Sequence, residues 1–127
     1  MDQPQLYEIK KDSKGSYLYI KSDDVITLES KMKDFESFQN NKTLPRNLRV
    51  LDFAGNSKLS FNLSGIRQIM KKALEVTEEY DSISYAVVLN KALYVAYLIY
   101  ADTIFSNSKF SIKVFSTLKA AKIWLEK

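Results

Sequence analysis

The sequence predicts an α/β fold with the element order ββαβαβαβα and a mostly parallel five-stranded sheet. Three observations lead to this prediction. Short apolar runs alternate with longer stretches in which apolar residues recur at helical spacing. Residues 83–89 are almost entirely apolar, as in a central strand that is covered on both faces. The chain begins with two strand-like runs around a turn, which predicts that the first strand pairs antiparallel and lies at the edge.

The predicted hairpin consists of residues 6–10 and 17–21, and the turn between them contains Gly15. Thr27 is the predicted N-cap of the first helix because a hydroxyl can accept a hydrogen bond from the free N–H groups of the first turn. Helical spacing predicts an inner face made of Leu28, Met32, Phe35 and Phe38.

Residues 48–54 form the next predicted strand, and residues 55–58 form a loop after it. Asn62 is the predicted N-cap of the second helix. Phe61 precedes this cap and is expected to pack on Ile66, which would fix the angle at which the chain enters the helix. The inner face of the helix is predicted to contain Ile66, Ile69, Met70, Ala73, Thr77 and Tyr80.

Two further strand and helix pairs complete the chain. After the strand at 83–89, Asn90 is the predicted cap of a helix that covers residues 91–105. Residues 110–115 alternate apolar and polar side chains over the first five positions, which predicts a strand with one buried face. Either Ser116 or Thr117 caps the last helix, whose predicted inner stripe is Leu118, Ala121 and Leu125, with Trp124 beside it.

The helix over residues 91–105 is apolar on more sides than a surface helix needs. One arc is predicted to face the sheet and contains Leu93, Ala96, Tyr97, Tyr100 and Ile104. A second arc contains Tyr94, Leu98, Ala101 and Phe105. Three interpretations of the second arc remain open: neighbouring helices cover it, a second copy of the chain covers it in a homodimer, or it lines a groove for a small apolar ligand or lipid.

Composition restricts the classes of function. The 127 residues form one predicted domain, 1–127, and contain neither cysteine nor histidine. This excludes disulfides and thiolate metal sites and removes the commonest general base and metal ligand. The net charge is +4, but the lysines are scattered along the chain, so we expect a solvated surface and no nucleic-acid partner.

Membrane and targeting signals are not evident in the sequence. The apolar runs are shorter than the ~18–20 residues that a membrane-spanning helix needs. Residues 1–5 lack the basic and apolar parts of a signal peptide, so a cytoplasmic location is expected.

Residues 50–55 (Val-Leu-Asp-Phe-Ala-Gly) and 62–66 (Asn-Leu-Ser-Gly-Ile) resemble two motifs of the SpoIIAA-like fold, which includes the STAS domains and small bacterial proteins of unassigned role. The first resembles the strand before the switch loop of that family. The second resembles its Asp-Ser-Ser-Gly-Leu turn at a helix start. Residues 110–125 resemble the last strand and helix of the family.

The resemblance implies an interaction module, and in signalling members a partner kinase phosphorylates a serine at this helix start. Ser64 matches that serine, next to Gly65 and the cap Asn62, so this turn is a candidate phospho-switch or anion site. The alternative is that Ser64 only helps to cap the helix. Asp52 could in principle pair with Lys91 as acid and base, but loop polarity and capping are the favoured explanation of these residues.

Two functions are therefore expected. The first is a non-catalytic STAS-like interaction or regulatory module, a homodimer that binds a regulatory protein and needs no cofactor or metal. The alternative is a small apolar-ligand or lipid-binding protein of SEC14-like type.

Overall fold

The computed structural model describes residues 7–127 and contains the predicted strands and helices in the predicted order. Two very short strands, β3 and β5, were not predicted. Leu6, the first residue of the predicted hairpin, and the signal-peptide region 1–5 lie outside the described residues. The elements are β1 Glu8–Asp12, β2 Gly15–Lys21, β3 Val25–Ile26, α1 Leu28–Asn40, β4 Asn47–Gly55, β5 Lys58–Leu59, α2 Leu63–Thr77, β6 Ser82–Leu89, α3 Ala92–Phe105, β7 Phe110–Phe115 and α4 Leu118–Leu125.

The main sheet has five strands in the order β1-β2-β4-β6-β7. β1 pairs antiparallel with β2 and lies at the edge, and the other three pairings are parallel. Val50 in the central strand lies opposite Leu18 on one side and Tyr85 on the other. The predicted hairpin, antiparallel edge strand and parallel central strands are therefore confirmed.

The strand order determines which face of the sheet each helix covers. Every crossover moves one strand along in the same direction, and right-handed crossovers of this kind place their helices on a single face. α1, α2 and α3 accordingly share the larger core, which includes Phe35, Ala73 and Leu98. The eight-residue α4 lies on the opposite face and packs Ala121 and Leu125 on Leu51, Ala86 and Val88. Among residues 7–127, no helix has both the length and the apolar character to cross a bilayer.

Three of the predicted helix caps are confirmed. The side chains of Thr27, Asn62 and Thr117 each accept a hydrogen bond from a backbone N–H of the first turn, at 3.0, 3.0 and 3.1 Å. The prediction of Asn90 as a cap is wrong, because α3 begins after Lys91, whose side chain makes no cap hydrogen bond. Asn90 instead continues the pairing of β6 with β4, since its N–H donates to the carbonyl oxygen of Gly55 at 2.9 Å.

The predicted orientation of α3 is also wrong. Leu93 and Ile104, which were expected to face the sheet, are 59% and 57% exposed. Leu98 and Ala101 are buried instead, in the core shared with α2 and β7. Because apolar side chains surround this helix almost evenly, its sequence pattern contains no preferred direction, and the packing of α3 on β7 and α2 determines which side is covered.

β3 and β5 form a two-stranded parallel sheet at the carboxyl end of the main strands. Ile26 pairs with Leu59, and the N–H of Ser60 donates to the carbonyl of Ile26 at 3.0 Å. The hydroxyl of Ser57 donates to the carbonyl of Asp23 at 2.6 Å. These bonds fasten the loop after β2 to the loop after β4, and together the two loops cover the end of the larger core.

Candidate functional site

The outer side of α3 exposes a strip of apolar side chains, which we call the α3 outer face: Leu93, Ala96, Ile99 and Ile104. Ile99 is 54% exposed, similar to the other two large members. None of the four carries a charge. Three of the six large hydrophobic side chains that are exposed among the described residues lie on this one helix, so the outer side of α3 differs from an ordinary solvated helix surface.

Two contacts of charged side chains lie next to this strip. On one side, the guanidinium of Arg67 donates to the hydroxyl of Tyr100 at 3.0 Å. On the other side, Asp102 accepts from the ammonium of Lys113 at 3.4 Å. The α3 outer face is therefore an uncharged strip between two polar margins, as in the centre and rim of a protein interface.

The interface or groove residues predicted from the sequence lie on the opposite side of α3. Leu98 and Ala101 are buried, and Tyr94 and Phe105 are partly buried against the same core. The protein's own elements cover Leu98 and Ala101, as the first of the three interpretations expects. Leu98 and Ala101 therefore offer almost no surface to a partner, and a role of Tyr94 and Phe105 in an interface or groove stays a prediction.

The helix start at 62–65 brings the predicted phospho-switch residues together. Asn62 caps the N–H of Ser64, and Ser64 is exposed to solvent. Gly65 is buried, and a Cβ atom placed there would lie only 2.7 Å from the Cβ of Phe61. Glycine is therefore required at this position for packing. The role of Ser64 as a phosphorylation site stays a prediction.

A network of buried polar groups joins α1 to the central strands. The ammonium of Lys31 donates to Asp52 at 2.6 Å, to Asp34 at 3.0 Å and to the hydroxyl of Ser22 at 3.3 Å. The phenol of Tyr85 and the hydroxyl of Ser22 also donate to the Asp52 carboxylate, at 2.8 and 2.7 Å. These groups, and not Lys91, occupy the carboxylate of Asp52, so the acid–base pair considered from the sequence is not formed.

The protonation of this network follows from burial and from the neighbouring charges. Burial alone disfavours the charged form of Lys31, but the carboxylates of Asp52 and Asp34 outweigh it and raise the pKa of the ammonium. Burial raises the pKa of Asp34, with a further contribution from the charge of Asp52. Burial also raises the pKa of Tyr85 well above its ordinary value. Lys31 and Tyr85 therefore stay protonated at neutral pH, and neither is a ready nucleophile or base.

Sequence reasoning missed this network, although a signal for it was present. Lys31 and Asp34 share a helical arc with Phe35 and Phe38, at spacings of three and four residues. A polar pair within an apolar stripe needs a buried partner, and Asp52 lies in a strand that was expected to be central.

A small cavity lies beside the network. Lys31, Asp52 and Tyr85 contribute to its wall, and Leu98 and Ile66 are among its many apolar neighbours. Its volume is about 50 Å³. Pockets for small molecules usually measure roughly 300–1,000 Å³, so this cavity has no room for a lipid. The alternative function as an apolar-ligand carrier stays a prediction that would require this cavity to expand.

Comparison with known proteins indicates the fold. Neither a protein-family model nor a curated protein sequence matches the chain. Among solved structures, the chain is similar to an uncharacterised protein of the DUF3478 family from Shewanella loihica PV-4, described as having a SpoIIAA-like fold. The identity is 19%, the TM-score is 0.59, and the match covers 98% of each chain. The resemblance seen in the sequence is confirmed at the level of the fold, and the chain adopts a SpoIIAA-like fold.

Proposed function

We propose that this protein is a non-catalytic, STAS-like interaction module that associates with a second copy of itself through the α3 outer face. The observation that carries the proposal is the exposure of Leu93, Ile99 and Ile104 on one uncharged side of a helix. Exposure of clustered apolar groups to water is unfavourable in free energy, and contact with another apolar surface removes that cost.

The absence of charge on this strip favours a second copy as the occupant. In a twofold contact the same patch meets itself, so any charge at its centre would face a like charge. The α3 outer face has none, although the whole chain carries a net charge of +4. Arg67 and the Asp102–Lys113 pair lie at the margins, where solvent screens them.

The size of the strip determines how strong the association should be. A helix of 14 residues is about 21 Å long, so one side of it offers roughly a few hundred Å² of surface. Stable interfaces usually bury about 800 Å² on each partner. We therefore expect a weak, reversible dimer that forms at high micromolar concentration and in which neighbouring parts of α2 and β7 also contribute area.

The test is sedimentation equilibrium across a range of protein concentrations. The variant Ile99→Glu places a charge at the centre of the strip and should abolish the concentration-dependent rise in mass. Ile123→Glu is the matched control, because Ile123 on α4 is 53% exposed and the chemical change is identical. Leu98→Glu is unsuitable because that side chain is 7% exposed and its substitution would damage the core.

The result expected is dimerisation of the wild type and of Ile123→Glu, with a monomeric Ile99→Glu that retains its circular dichroism spectrum. A wild-type protein that remains monomeric at high micromolar concentration would overturn the proposal. Equal loss of the dimer in both glutamate variants would also overturn it, because the association would then not depend on the α3 outer face.

A further inference from the structure

The register of the sheet places basic side chains from distant parts of the sequence on the same face. Side chains on a strand alternate between the two faces, and Tyr17, Leu51 and Ala86 identify the face that α4 covers. The same alternation places three lysines of the strands on this side, α4 adds two, and the residue after its C-cap adds one. This α4-side surface contains Lys10, Lys21, Lys113, Lys119, Lys122 and Lys127, all exposed.

Acidic residues do not balance these lysines. Within residues 7–127, the acidic side chains of Glu8, Asp12 and Glu126 lie on the same side, and Asp12 is engaged by the guanidinium of Arg49 at 2.6 and 2.8 Å. Asp102 of α3 partly neutralises Lys113 at the border. The α4-side surface therefore has an excess of positive charge.

Aromatic rings lie among the lysines where α4 leaves the sheet uncovered. Tyr19 and Phe53 are only partly buried, and Lys21 lies opposite Phe53 in the register. The ammonium of Lys10 lies 4.2 Å from the centre of the Tyr19 ring. α4 packs on β4, β6 and β7, so this group at the end of β2 stays open to solvent.

From this arrangement we propose that the α4-side surface binds single-stranded nucleic acid. Lysines attract the phosphates of a flexible backbone, and partly exposed aromatic rings on a sheet provide surfaces on which bases stack. Lys10 can exchange its contact with Tyr19 for a phosphate, which frees the ring for a base. Stacking and phosphate contacts of this kind bind single strands with little sequence preference.

The test is fluorescence anisotropy with a fluorescein-labelled oligothymidylate at low salt. If about four phosphates are neutralised, the affinity should fall roughly 50-fold between 50 and 200 mM salt. The double variant Lys119→Glu/Lys122→Glu should weaken binding by at least about tenfold, because it replaces attraction with repulsion. Tyr19→Leu keeps an apolar side chain on the sheet and should weaken binding by about tenfold through lost stacking.

The matched control is Lys33→Glu/Lys71→Glu, which makes the same change in net charge on exposed positions of α1 and α2. It should retain most of the wild-type affinity. The proposal is overturned if the wild type does not change the anisotropy at low salt, or if both double variants lose affinity equally. It is also overturned if the protein sediments with phosphatidylserine vesicles but does not bind the oligonucleotide, because the surface would then serve an anionic membrane.

Discussion

Lys31 in α1 and Asp52 in the central strand β4 form a buried ion pair with 2.6 Å between nitrogen and oxygen. The pair attaches a helix to the middle of the sheet, and Asp34 and Tyr85 complete its hydrogen bonds. A buried charge without a partner is far more costly than either a complete pair or an apolar replacement of both members. The stability of the fold should therefore depend on the integrity of this network.

The first prediction concerns the removal of the ammonium. Lys31→Met keeps the length of the side chain but leaves the carboxylates of Asp52 and Asp34 without their shared cation. We expect a loss of about 3–5 kcal/mol in the free energy of unfolding, measured by urea denaturation. Lys33→Met in the same helix is the control, because Lys33 is exposed and should change stability by less than about 0.5 kcal/mol. Similar values for the two variants would contradict the prediction.

The second prediction concerns pH and Asp34. Burial raises the pKa of this carboxyl in the folded state, so the folded protein binds more protons than the unfolded chain between the ordinary value of 3.8 and the raised one. The contribution of Asp34 to stability therefore falls as the pH rises through that interval. Asp34→Asn should remove this part of the slope, and at neutral pH it should cost less stability than Lys31→Met because the amide oxygen can still accept from the ammonium of Lys31. Urea unfolding from pH 4 to pH 7 measures both effects, and an unchanged slope would contradict the prediction.

The third prediction concerns alkaline pH. The pKa of Lys31 is raised in the folded state, so its stabilising contribution is complete below the ordinary value of 10.5 and is lost as the pH rises through the folded value. Wild-type protein should lose stability in this range. Because neutral Met at position 31 cannot titrate, a Lys31→Met protein that still folds should show a shallower alkaline decline. If the stability of that variant falls equally steeply with pH, the loss of stability at alkaline pH comes from groups other than Lys31, and the prediction is wrong.

The fourth prediction concerns Gly65. Alanine normally favours a helix over glycine by about 0.5–1 kcal/mol. Here the new Cβ would lie 2.7 Å from the Cβ of Phe61, an atom fixed to the backbone, so we expect Gly65→Ala to destabilise the protein by about 1–3 kcal/mol. Ser64→Ala, one position earlier and exposed, is the control for helix propensity. A stabilising effect of Gly65→Ala would show that the chain can relax around the contact.

The fifth prediction concerns Ser64. The first turn of α2 contains no acidic residue, although the positive end of the helix dipole favours negative charge there. Ser64→Asp should therefore stabilise the protein by about 0.3–1 kcal/mol at low salt, and the gain should shrink as salt is added. Ser64→Asn is the control, because asparagine has nearly the shape of aspartate but no charge. If both variants have equal stability, the turn does not attract an anion, and the phospho-switch interpretation loses its physical basis.

The main sheet could be predicted because hydrophobic runs and helical spacing are local signals. β3 and β5 were missed because strands of two residues contain too few positions to show any period. The orientation of α3 was missed for a different reason: Leu93 and Leu98 are equally apolar, and only the packing of α3 on β7 and α2 distinguishes them.

The functional features required information that a linear reading does not contain. From the sequence alone, Lys31 is expected at the surface, as most lysines are. Only the structure shows that Asp52, 21 positions away, lies opposite its ammonium. Lys10, Lys21 and Lys113 belong to three different strands, so only the register shows that they point to the same side. For that reason the even spread of lysines along the chain predicted an ordinary solvated surface.

The short hairpin strand β1 has a consequence for how the protein behaves when it is cut. Its outer edge has no neighbouring strand in the sheet, but Glu8, Lys10 and Lys11 are exposed along it. Charged side chains on an edge strand discourage pairing with strands of other chains. Without β1, the apolar strand β2 would become the margin, with Leu18 and Ile20 beside free backbone groups. A fragment that begins after the hairpin turn would therefore tend to aggregate. These few residues thus protect the sheet from pairing with other chains at this edge.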